Sequence, residues 1–90
     1  FSDIKECYKL KKSVEDDVIR EFNVNKNNIQ RYERAHPVDS TGKSTTSETF
    51  LNVNNGNIYI ACFDLQKNIG PKNFRLVANT SEINKFYKTD

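Results

Sequence analysis

Ser2-Asp-Ile-Lys-Glu-Cys-Tyr-Lys-Leu-Lys-Lys-Ser-Val-Glu-Asp-Asp-Val-Ile-Arg-Glu-Phe22 decides how the rest of the chain is read. At about 100° per residue, Phe1, Ile4, Cys7, Tyr8, Leu10, Val14, Val18, Ile19 and Phe22 gather on one half of a helical wheel. Lys5, Lys9, Lys12, Asp16 and Arg20 take the other half. The pattern predicts one amphipathic helix over 2–23, about 30 Å long from the helical rise. Ser2 or Asp3 suits the N-cap, Asp3 and Glu6 suit the positive end of the dipole, and the asparagines from Asn23 onward favour a stop. Lys11 and Glu15 break the apolar half at i, i+4 spacing. Either they pair with each other across the stripe, or they mark a place where the helix touches another subunit.

Periodicity fades from Asn25 to Ser47. Ile29, Tyr32 and Ala35 predict a short helical turn ended at Pro37, and the Ser/Thr/Gly/Lys stretch from Asp39 to Ser47 predicts the main loop. Gly42-Lys43-Ser44 has the ending of a phosphate-binding loop, but Pro37 stands where the motif needs its first glycine, and no strand-to-helix frame surrounds it. A solvated loop is the expectation there.

The second half reads as strands. Thr49, Leu51 and Val53 alternate with Phe50 and Asn52, and Ile58, Ile60 and Cys62 alternate with Tyr59, Ala61 and Phe63. Asn54-Asn55-Gly56-Asn57 between them predicts a hairpin, with Asn55-Gly56 suited to a type I′ turn. Both faces of 58–63 are apolar, as in a central strand or one covered on both sides. Phe74 to Ala78 follows as a further strand, and Ile83, Phe86 and Tyr87 fit a fourth strand or a helical turn. The expectation is a single α+β domain over 1–90: helix 2–23, loop 25–47, a three- or four-stranded antiparallel meander over 48–79, and a tail at 80–90.

Composition narrows the function classes. A chain of 90 residues has a small core, so its six Phe and four Tyr carry much of the burial. A net charge of +2, with acids interleaved among bases, argues against a nucleic-acid partner, and the small ridge of Lys5, Lys9 and Lys12 is diluted by Glu6 and Asp16. No run has the length of a membrane span, and no signal peptide is evident. A chain beginning with Phe favours a mature or truncated piece. Cys7 and Cys62 both lie on apolar faces, where a disulfide would staple helix to sheet and point to an oxidising, extracellular compartment. Two buried free thiols are the alternative. Two cysteines and His36 fall short of a zinc set, so neither metal nor cofactor is expected. His36 reads as a surface imidazole, no serine or cysteine sits in a nucleophile-elbow pattern, and Asp16 and Asp17 read as a solvated face. No catalytic residue is therefore assigned. Asn79-Thr80-Ser81 matches a glycosylation acceptor by pattern.

Phe1 to Asn23 looks like the exposed half of a pilin spine helix, Asn55-Gly-Asn-Ile-Tyr-Ile60 like the turn and central strand of that family, and Phe74-Arg-Leu-Val-Ala78 like its next strand. In layout the chain resembles the soluble headpiece of a type IV pilin or type II pseudopilin. The resemblance implies a non-enzymatic subunit of a surface filament, assembling with other subunits through its N-terminal helix, and an apolar first half of that helix preceding Phe1. It makes Lys11 and Glu15 the assembly residues and the loop around Asp39, Gly42 and Lys43, with the tail from Ile83, the recognition surface. The same layout resembles cystatin-like domains, which leaves a small secreted binding or inhibitor module as the second reading, although no Gln-x-Val-x-Gly loop is present.

Overall fold

A computed structural model describes residues 3–54 and 56–79. The helix α1 spans Ile4–Phe22. Asp3, not Ser2, is its N-cap, with a side-chain oxygen accepting from Lys5 N at 2.9 Å. At the other end Asn23 takes the left-handed conformation (φ 52°), as short polar side chains do at helix C-termini. A single 3₁₀ turn, Lys26–Asn28, leads into four strands: β1 (Ile29–Ala35), β2 (Thr45–Val53), β3 (Gly56–Asp64) and β4 (Asn73–Asn79). They form one antiparallel meander in the order β1-β2-β3-β4, with α1 packed on one face. The α+β architecture read from the sequence is the one observed.

Three local expectations need correction. Residues 29–35 form an edge strand, not a helical turn, paired with β2 from Ile29 opposite Leu51 to Ala35 opposite Thr45. Only Ile29 in that strand is shielded, so the apolar alternation that signals strands is missing; the segment is held by its backbone ladder and by charged side chains. The sheet therefore gains its fourth strand from the N-terminal side, and the loop shrinks to 36–44. Ile83, Phe86 and Tyr87, expected as a fourth strand or a helical turn, lie outside the described residues with the rest of the tail, so the structure does not correct that expectation. Finally, Val53 pairs with Gly56, so Gly56 opens β3 and does not belong to the turn. Either turn position keeps the same side chains on the same faces, so the local dipeptide does not select the register; pairing along both nine-residue strands does.

Side chains alternate across the sheet. Val14 and Val18 of α1 meet Leu51, Ile58 and Ile60, with Phe22, Ile29, Phe74 and Leu76 around them. Cys7 and Cys62 are joined by a disulfide with Cα atoms 6.0 Å apart, both sulfurs buried, tying the N-terminal half of α1 to β3. The bridge closes 55 residues of chain. Restricting the unfolded state over a loop of that size is worth about 4 kcal/mol in the chain-entropy model. We expect the Cys7→Ala/Cys62→Ala double variant to lose about that much stability in urea titrations. An equal midpoint for the variant and the oxidised protein would show that the bridge contributes nothing.

Candidate functional site

One helix cannot roof four strands. α1 lies over β3 and β4, so Arg31, Glu33 and Ser47, which point to the same side from β1 and β2, face a cleft of about 430 Å³ beside the helix, while Thr49 on that side is fully buried. Lys11 and Glu15 close its floor, at 7% and 5% exposure. Lys11 Nζ donates to Glu15 Oε2 at 2.5 Å and to Thr49 Oγ1 at 2.7 Å. Thr49 Oγ1 donates to Glu15 Oε2 at 3.0 Å, and Arg31 donates through Nε and Nη2 to Glu15 Oε1 at 3.1 and 2.8 Å. The two residues that read as flaws in the apolar stripe thus bond to each other, and between them to β2 through Thr49 and to β1 through Arg31. Burial pushes the Glu15 carboxyl up, but the hydrogen bonds from Lys11, Arg31 and Thr49 and the charge of Lys11 hold it below its ordinary value. Lys12 pairs with Asp16 at 3.3 Å on the rim. With Lys11, Lys12 and Arg31 set against Glu15, Asp16 and Glu33, the cleft lining is charge-balanced. Tyr8, also in the lining, has its hydroxyl pushed up by burial and by the charges of Asp64 and Glu33.

The loop 36–44 is built around Asp39. Its carboxylate accepts from Thr41 N (3.0 Å), Thr41 Oγ1 (2.6 Å), Ser44 N (3.0 Å) and Ser44 Oγ (2.6 Å), which drives its pKa down to about 2. Gly42 turns the chain at φ +76°, a conformation that side chains resist. Of the three residues singled out as a recognition loop, Asp39 is therefore the buried frame, Gly42 the hinge of the turn, and Lys43 the exposed side chain. The ring of His36 is half-buried, edge-on to Phe63 at 5.7 Å, with Nδ1 accepting from Val38 N.

Among the described residues no helix lies over the other face of the sheet, yet it is largely covered by its own long side chains. Ala61 is fully buried there, and Phe63, Glu48 and Thr46 are nearly so. Arg75 lies over the Phe63 ring, 5.3 Å from its centroid. Arg34 lies over Tyr32 and donates through Nε to Glu48 Oε1 at 2.6 Å, while the Tyr59 hydroxyl donates to the other Glu48 oxygen. Burial raises Glu48, and these donors more than reverse it. Burial and the Glu48 carboxylate push Tyr59 up to about 12. Tyr32, Phe50 and Tyr59 form a continuous aromatic row, with centroids 5.7 and 4.9 Å apart. Sequence reading marked 58–63 as a central strand or one covered on both sides, without naming the cover. Arg31, Arg34, Glu48, Thr49 and Arg75 went unnoticed because their partners lie on other strands and no spacing along the chain reveals them.

Among the described residues no three or more His, Cys, Asp or Glu side chains are placed to hold a metal ion, and no helix is long and apolar enough to cross a membrane. No family model, curated protein sequence or solved structure matches the chain.

Removing Glu15 leaves the buried Lys11 charge without its partner, so Glu15→Ala should cost about 3 kcal/mol or more, whereas Lys11→Met/Glu15→Leu together should lie within about 1 kcal/mol of the parent. A double variant as unstable as the single one would show that the network is needed beyond neutralising its own charges. A second expectation concerns acid. Glu15, Asp39 and Glu48 all have lowered folded-state values, so their contribution is complete above the ordinary carboxylate range and is lost as pH falls through the lowered values. Urea midpoints should be level from about pH 7 to 5 and drop below about pH 4.5. A midpoint that rises on acidification would contradict the assignment.

Proposed function

We propose that this chain is a non-enzymatic structural subunit of an extracellular assembly, the globular domain of a pilin-like filament protein joined to its neighbours through the N-terminal helix. The observation that carries this reading is the order of parts: one long helix first, then a four-stranded antiparallel meander against which it lies. The disulfide agrees with an oxidising location outside the cytoplasm. Since Lys11 and Glu15 are engaged inside the domain, the subunit contacts in this reading fall to side chains that α1 leaves exposed, among them Tyr8 and Leu10 at 40% each. The second reading, a small secreted binding module, is favoured by the outer sheet face, where Tyr, Phe and Arg side chains of the kind enriched at interfaces are assembled on a rigid support.

The two readings separate on the gene. For the filament subunit, the codons before Phe1 should encode about 25 mainly apolar residues in continuous helical register. A cleavable signal peptide at that place would overturn the filament and leave the secreted module. Shearing whole cells and probing the released fraction with antibody gives an independent check: the filament reading expects the protein in high-mass, sedimentable material.

A further inference from the structure

On the outer sheet face the pairing register aligns three exposed asparagines in one row: Asn52 of β2 opposite Asn57 of β3, and Asn57 opposite Asn79 of β4. Asn79 Nδ2 donates to Asn57 Oδ1 at 3.2 Å. The next row along the same strands is Phe50, Tyr59 and Val77, and the row after it ends in Arg75 on β4. Phe50 and Tyr59 are half-exposed and Val77 is 41% exposed. An amide row, an apolar row and an arginine thus run side by side across neighbouring strands, about 4.8 Å apart from strand to strand.

We propose that this face binds an acidic oligosaccharide, laid across the strands with its ring faces on Phe50 and Tyr59. Each asparagine offers both donor and acceptor, the pairing that vicinal hydroxyls need and that carboxylates or phosphates do not. The aromatic faces take the apolar C–H side of a pyranose ring, their negative π-face meeting its positive hydrogens. Charge selects the acidic sugar. Glu48 is the sole carboxylate among the described residues of this face, buried at 7% exposure and neutralised by Arg34, whereas Arg75 lies over an aromatic ring with no acidic partner there. Arg75 flanks the apolar row on the side away from the asparagines, so a sugar lying on the rings presents hydroxyls to one side and a carboxylate to the other. A nucleic acid would need several cations along its backbone, and the described residues of this face supply two, Arg34 and Arg75. The proposal holds for either reading of the domain, in a filament or alone.

The test uses the intact 90-residue chain with polygalacturonate hexasaccharide as acidic probe and cellohexaose as neutral probe, followed by calorimetry and by amide shifts in NMR. The acidic probe should bind at least tenfold more tightly than the neutral one, with shifts confined to β2, β3 and β4. Arg75→Gln should weaken the acidic probe at least tenfold and leave the neutral one within twofold. Asn52→Ala/Asn57→Ala should weaken both. Lys9→Gln, on the far side of α1, should change neither, and thermal midpoints within a few degrees of the parent would show that the variants are folded. The proposal is overturned by no binding at millimolar probe, by shifts on α1 instead, by unchanged affinity in Arg75→Gln, or by equal or tighter binding of oligo-dT or poly-glutamate. Self-association that buries the face in sedimentation runs at the assay concentration also overturns it.

Discussion

A helix about 10 Å across has to cover a sheet whose outer strands are about 14 Å apart, and it cannot do so symmetrically. The Cys7–Cys62 bridge fixes which strands it covers, because it ties the first half of α1 to β3. Apolar packing then fills the space over β3 and β4, and the β1–β2 side is left without a roof. Extending the apolar stripe of α1 toward β1 would expose greasy surface to the cleft. The chain places Lys11 and Glu15 there instead, long side chains whose charged ends bond each other and Thr49, with Glu15 also accepting from Arg31 at the edge of water. The interruption in the stripe follows from the helix position.

The same economy of cover operates on the opposite face. Among the described residues no second layer lies on this side, yet Ala61 is fully buried and Phe63 nearly so. Their cover is intrinsic to the sheet: Arg34 and Arg75 lie down over rings, and Tyr59 closes on Glu48. Laying an arginine flat keeps its guanidinium wet while its stem shields carbon beneath, and the ring below gains a cation over its face. A sheet sealed this way differs both from a packed core and from a bare hydrophobic patch.

Legibility in the sequence tracked the range of the interactions. The helix was readable because its signal repeats within one turn, and β2 and β3 because both carry period-two alternation and share a turn-rich connection. The cysteine pairing was readable as one of two states because both cysteines sat on faces already assigned to the core. β1 was not readable, since an edge strand with one shielded residue has nothing apolar to alternate. The cleft network was half readable: Lys11 and Glu15 announced themselves by interrupting the stripe, while Thr49 and Arg31 have no local oddity to mark them. The asparagine row is the extreme case, because three asparagines in an asparagine-rich chain acquire meaning only once the register sets them side by side.

That edge strand also explains how the two faces are coupled. β1 carries Arg31 toward α1 and Arg34 toward the outer face, and each meets a carboxylate on the next layer or strand, Glu15 on one side and Glu48 on the other. Two opposed arginine–carboxylate pairs, with a seven-residue ladder to β2, do for this strand what the buried Ile58 and Ile60 do for β3. The arrangement has a second effect. An edge lined with Arg31, Glu33 and Arg34 resists pairing with a further strand, because an incoming chain would have to desolvate those charges or disrupt their partners. The polarity that hid β1 from pattern reading is therefore what allows it to stand at the border of the sheet.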